Sequence, residues 1–295
     1  MKLARLVFVT GKGGTGKSTV SAALALGLAR GYDVTLADLD QKLSAARLLG
    51  VELNGSGPAR ASSRLEVMAL DSRRELEAFL ERIVPLKAIS RRMLRSRTFG
   101  YVSAALPGLD AFLMLERLRL MAGESARQGR YLVVDAPASG NALEMLSVAR
   151  GVKGIAPLGT LNRLASEVES FLADPARFCV LLTVTPEEMA IREAIETAVH
   201  LREKLGISSI GAVLNGAVPP LFDAAELAAL SAIEEHARLA LRRDALARHT
   251  ANAREQLAAG GVQVVELPML FRPALGKAEL RSLGLRLAEG FTRHT

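Results

Sequence analysis

An apolar run, Leu3 and Leu6 to Val9, leads directly into Gly11-Lys12-Gly13-Gly14-Thr15-Gly16-Lys17-Ser18, and an Ala- and Leu-rich stretch follows from Ser18 to Ala29. The first run reads as a buried parallel strand and the last as a helix packed on a sheet. Strand, glycine-rich turn and helix in that order form a loop whose backbone N–H groups face phosphate. In such a loop the later lysine, Lys17, sits against the β- and γ-phosphates of ATP and Ser18 reaches Mg²⁺. Gly11, Gly13, Gly14, Thr15, Gly16, Lys17, Ser18 and Thr19 are therefore the expected nucleotide contacts. Lys12 exceeds what simple nucleotide holding requires.

The rest of the chain repeats the alternation of strand and helix, which predicts an α/β P-loop NTPase with a mostly parallel sheet covered by helices. Strands are expected at Val34 to Ala37, Leu65 to Leu70, Tyr131 to Val134, Phe178 to Val184, Ile210 to Leu214 and Val262 to Leu267. Helices are expected around Glu188 to Lys204, over Ala224 to Leu257 as one or two segments, and from Gly276 to near Phe291. Asn54 to Ser63 reads as a surface loop. All 295 residues are taken as one ATPase domain, with residues 72–128 a mainly helical elaboration and a candidate partner or client region.

Composition narrows the options. A hydrophobic content of 49% supports a large interior, while 4% aromatics and no Trp leave little for a stacking surface on nucleic acid. The formal charge of +7 comes from 38 basic and 31 acidic residues without a polybasic tail, so no specific nucleic-acid partner is expected. The lone Cys179 lies in an apolar strand and reads as a buried thiol. No apolar segment reaches transmembrane length, and the expected location is cytoplasmic, with membrane association only transient and through a partner.

Acidic residues close two of the predicted strands. Asp135 follows Tyr131 to Val134, the position of the Mg²⁺-associated aspartate of a P-loop enzyme; a solvated turn is the plain alternative. Asp38 and Asp40 follow the second strand. Asp40 is the candidate for positioning the attacking water and Asp38 for supporting the Mg²⁺ environment, against the alternative of two solvated acids. The metal set is thus Ser18, Asp38 and Asp135, and the catalytic set Lys12, Lys17 and Asp40.

Several further segments extend the pattern: Asp135-Ala-Pro-Ala-Ser-Gly-Asn-Ala-Leu-Glu-Met-Leu146, Thr185-Pro-Glu-Glu-Met-Ala-Ile-Arg-Glu-Ala194, the strand ending at Asn215, and Glu266-Leu-Pro-Met-Leu270. Together with the glycine loop and Asp40, they make the chain resemble the ArsA-type ATPases, which include arsenite-pump ATPases and ATPases that target tail-anchored membrane proteins. These belong with MinD and ParA among the deviant Walker A P-loop ATPases. The resemblance implies ATP or ADP with Mg²⁺ as ligands and a nucleotide-controlled dimer in which Lys12 reaches phosphate on the opposing subunit. It also implies that Asn215 recognises adenine and that Pro268 lies in the matching loop. The chain departs from the family where Asp40-Gln41-Lys42-Leu43-Ser44 replaces a DPAH-like first switch, and where Asn141 stands in place of a histidine. With one cysteine, the chain has neither a thiolate cluster for arsenite nor a CxxC pair for intersubunit zinc.

The leading expectation is Mg²⁺-dependent ATP hydrolysis coupled to opening and closing of a homodimer, handling a hydrophobic protein client or membrane-associated partner. A MinD- or ParA-like positioning ATPase and a weakly hydrolysing partner in a heterodimer with a related chain are the alternatives. Met93, Leu94, Leu106, Leu113, Met114, Leu115, Leu118 and Met121 form either a client groove or core. Lys87, Arg91, Arg92, Arg95 and Arg97 meet an acidic partner or phospholipid, or form a solvated face.

Overall fold

Leu6–Thr10 forms strand β1, and its alternation divides the interior: Leu6 and Phe8 enter one hydrophobic core while Val7 and Val9 enter the other. A computed structural model describes residues 1–39, 42–53, 57–71, 75, 108–155, 158–231, 234–272 and 275–292. Its strands are β1, β2 (Val34–Asp38), β3 (Ala59–Ser62), β4 (Leu65–Ala69), β5 (Tyr131–Asp135), β6 (Phe178–Val184), β7 (Ile210–Ala217) and β8 (Gln263–Pro268). They form an eight-stranded sheet in the order β3-β4-β2-β5-β1-β6-β7-β8. Among the described residues only the β3–β4 pair is antiparallel. This is the expected α/β fold.

Among the described residues the helices are α1 (Lys17–Leu28), α2 (Ser44–Leu48), α3 (Leu109–Arg127), α4 (Ser139–Ile155), α5 (Thr160–Ala173), α6 (Glu188–Leu205), α7 (Ala224–Ser231), α8 (Glu234–Ala259) and α9 (Lys277–Thr292). One core joins α3, α4, α5, α6 and α8 to the sheet; the other joins α1, α2 and α9. Helices on both faces explain why β1 and β6 are buried along their whole length. Helix α1 packs so tightly on α9 that a Cβ on Gly27 would lie 2.1 Å from the Gly284 carbonyl oxygen.

One expectation changes and one open alternative is decided. The segment read as a surface loop contains the edge strand β3, whose Ala-Arg-Ala-Ser sequence lacks a strong strand signal and is ordered by antiparallel pairing with β4. Leu113, Met114, Leu115, Leu118 and Met121 of α3 are buried in the core, so these residues make no exposed groove. Residues 72–74 and 76–107, which carry Met93, Leu94, Leu106 and the arginine-rich stretch, lie outside the described residues. No helix among the described residues is long and apolar enough to cross a membrane.

Candidate functional site

Register brings the site residues to one end of the sheet. Asp38 and Val9 both align with Asp135 on β5, and Thr10 aligns with Leu182 on β6. Ligands of open parallel sheets bind in the crevice beyond these carboxyl ends. Here the crevice contains a hollow of about 450 Å³ lined by Gly14, Gly16, Lys17, Ser18, Thr19, Asp135, Ala136, Pro137, Ala138 and Asn141.

The glycine loop has specific local reasons for its composition. Gly16 precedes α1 at φ 90°, and Gly11 at φ 149° lies where a Cβ would stand 2.2 Å from the Thr183 carbonyl oxygen. Thr15 is buried and donates both its hydroxyl, at 2.8 Å, and its N–H, at 3.3 Å, to the Lys12 carbonyl. Lys17 Nζ donates to the same oxygen at 3.3 Å. Helix α1 has no side-chain cap and no acid in its first turn. Its leading N–H groups and dipole favour an anion in the hollow.

Two of the three expected metal-side residues, Ser18 and Asp135, line this hollow, and the third, Asp38, does not. Asp135 is buried, and its Oδ1 accepts a hydrogen bond from Ser21 at 2.9 Å. Mg²⁺ characteristically takes one or two carboxylates with phosphate oxygens and water. The donor set therefore fits Mg²⁺ brought with a nucleotide. Among the described residues no group of three or more His, Cys, Asp or Glu forms a metal cluster.

Asp38 is equally buried, but its Oδ2 accepts the N–H groups of Ala45 and Ala46 at 3.2 and 3.4 Å. It thereby holds the start of α2, immediately after Leu43, which among the described residues is the non-glycine residue with positive φ (50°). Asp40 lies outside the described residues.

At the opposite side of the loop, Asn215 Nδ2 donates to the Thr15 carbonyl at 2.9 Å, joining β7 to the glycine loop. Pro268 ends β8, in register with Ala217, instead of occupying a loop after the strand. A second cavity of about 860 Å³ opens beside Asn215 and Gly216, bounded by α6, α8 and Met269.

Other residues at this end escaped the motif reading. Glu193 on α6 accepts a hydrogen bond from Ser139 Oγ and lies 4.0 Å from Lys12 Nζ. Thr10 Oγ1 donates to the Pro137 carbonyl at 2.7 Å, and Ser139 N–H to the Gly11 carbonyl at 3.1 Å. The segment after β5 is therefore fastened to the end of β1. Only the Thr185-Pro-Glu-Glu188 segment hinted that α6 approaches the site.

A family model described as anion-transporting ATPase matches residues 4–156. The chain is 28% identical over 236 residues to ATPase BagA of Mycobacterium tuberculosis, covering 76% of this chain and 68% of that protein. It is also 28% identical over 221 residues to the arsenical pump-driving ATPase of Escherichia coli, covering 72% of this chain and 35% of that one.

Proposed function

The chain belongs to the anion-transporting ATPase family, and from that premise we propose that it is a Mg²⁺-dependent ATP hydrolase working as a nucleotide-controlled dimer. The observation that carries this reading is the hollow at the N-terminus of α1, where Lys17, Ser18 and Asp135 line one anion-sized space. Lys17 and the loop N–H groups hold the β- and γ-phosphates. Ser18 and Asp135 hold Mg²⁺ or its water ligands, which supplies charge neutralisation when bound; Asp38 supports this group indirectly by ordering α2 beside it. Asp40 orients the attacking water. Asn215, already tied to the loop through its amide nitrogen, keeps its Oδ1 for the adenine amino group, with Pro268 at the neighbouring strand end.

Phosphoryl transfer needs positioning and positive charge more than covalent chemistry from the protein. Lys17 provides charge within the subunit. Lys12 provides it to the nucleotide of a second subunit, so hydrolysis and dimer closure are linked. All 295 residues act as one ATPase domain, and residues 72–128 elaborate it for a hydrophobic client or membrane-associated partner. The absence of a thiolate cluster in the sequence makes a soft metalloid an unsuitable cargo.

Asn141 lines the hollow and lacks an imidazole to couple nucleotide state to motion, which favours one second reading: a slowly hydrolysing member of a heterodimer. Turnover and solution mass of purified protein with Mg²⁺-ADP and Mg²⁺-ATP separate the two. The leading reading expects ATP-dependent doubling of mass and, as a separate readout, turnover; Lys12→Ala abolishes the turnover while nucleotide binding persists. No nucleotide binding at saturating concentration, or full turnover by the monomer, would refute it.

A further inference from the structure

We propose that Glu193 is a positioning residue that holds Lys12 inside its own subunit and couples release of that lysine to the segment following β5. The inference rests on the reading above that Lys12 serves a partner's phosphate. Glu193 projects from α6 between the buried residues Ala190 and Ala194, so its backbone is anchored in the core. Its two carboxylate oxygens face different parts of the site: Oε1 accepts from Ser139 Oγ, and Oε2 faces Lys12 Nζ at 4.0 Å.

Ser139 is itself a junction. It begins α4 directly after Asp135-Ala136-Pro137-Ala138, all of which line the phosphate hollow, and its N–H is bonded to the Gly11 carbonyl. Glu193 therefore touches both the loop lysine and the first helical residue after the hollow. No other carboxylate is paired with Lys12 among the described residues.

The device works by exchange. The Lys12 ammonium carries one positive charge, which neutralises Glu193 in the isolated subunit and a phosphate oxygen in the closed dimer. Polyphosphate carries more negative charge than a carboxylate, so closure favours transfer of the lysine to the nucleotide. Glu193 then retains Ser139 alone, and the α4 start is freed from its indirect connection to Lys12. The pair is a little over one-third exposed on each side. Solvent screening limits its effect to a factor of up to about five, the range of exposed ion pairs.

Competitive acetylation of the nucleotide-free protein with acetic anhydride, read by mass spectrometry, tests the contact directly. Lys153, paired with Glu169 at 2.7 Å on a different helix pair, is the internal reference. Glu193→Gln preserves size and an acceptor for Ser139 but removes the charge. Lys12 acetylation should rise up to about five-fold in this variant with Lys153 unchanged; Glu193→Asp, which withdraws the carboxylate by one methylene, should fall between, and guards against misfolding of the first variant. Equal Lys12 labelling in wild type and both variants overturns the proposal.

The second arm titrates Mg²⁺-ATP against solution mass. Glu193→Gln should reach half-dimer at up to about five-fold lower nucleotide, and in a Lys12→Ala background the same change should have no effect. An unshifted midpoint, or an equal shift without Lys12, overturns the coupling. Wild-type protein that remains monomeric refutes the dimer reading instead, and the labelling arm still reports the Lys12–Glu193 contact by itself.

Discussion

Gly284→Ala should destabilise the protein even though alanine is the better helix former. Gly284 lies inside α9, where an added Cβ would stand 2.1 Å from the Ala23 carbonyl oxygen, 2.8 Å from the Gly27 nitrogen and 3.0 Å from the Ala23 carbonyl carbon. All three are backbone atoms of α1, so no rotamer change relieves the clash. Reaching ordinary contact requires the two helices to separate by roughly 1 Å, a gap that forfeits a quarter to a half of the dispersion energy of each contact it opens. Leu24, Leu28, Leu283 and Leu287 belong to the same buried cluster. Overpacking of this kind costs about 1–3 kcal/mol, and alanine returns at most about 1 kcal/mol through helix propensity. Because backbone atoms cannot yield, the cost lies at the upper end of that range, and the net loss of about 2 kcal/mol corresponds to a fall in Tm of about 4–8 °C on the scale of domains of about 150–250 residues. Thermal unfolding followed by circular dichroism measures it, with Gly123→Ala in α3 as the control. Nothing lies within 4 Å of a Cβ at Gly123, so that variant should melt higher. Because α1 carries the phosphate loop at its N-terminus, Gly284→Ala should also weaken ATP binding. A Gly284→Ala protein that melts at or above wild type would refute the packing argument.

Asn215→Ala removes the hydrogen bond to the Thr15 carbonyl and should weaken binding of a fluorescent ATP analogue about five-fold, the equivalent of about 1 kcal/mol. Gly11→Ala combines an unfavourable φ with a Cβ 2.2 Å from a backbone oxygen; it should lose more than about 2 kcal/mol of stability and nucleotide binding with it, measured by denaturant titration. Cys179 is fully buried, and loss of hydration pushes its thiol from 9.0 up to about 12. Iodoacetamide at pH 8 should therefore label it only after unfolding. Since the folded value is the higher one, the stability gained by keeping the thiol neutral is complete below about pH 9 and is lost as the pH rises toward about 12, visible as a falling alkaline Tm.

Much of the architecture was legible because its signals are local. Phe178 to Val184 is apolar apart from Thr183 and forms β6 over the same residues, and the Glu188 to Lys204 periodicity ends one residue short of α6. The helices Ser139–Ile155 and Thr160–Ala173 were not anticipated, although the first contains the quoted Ala-Leu-Glu-Met-Leu run. Strand β3 was illegible for a different reason: Ala, Arg and Ser at a sheet edge take their conformation from the partner strand.

The sequence by itself determined the type and order of most elements and the presence of a phosphate loop with a surplus lysine, because strand period, helix period and glycine conformation depend on near neighbours. Tertiary structure decided which distant groups meet that loop. Asn215 reaches Thr15 across 200 residues, Glu193 reaches Ser139 across 54, and Asp38 turns its carboxylate to the start of α2. Such contacts follow from strand order and register, which place the carboxyl ends of β1, β5, β6 and β7 side by side. Spacing along the chain carries little of that information, so Lys12 was visible as surplus while the carboxylate beside it was not.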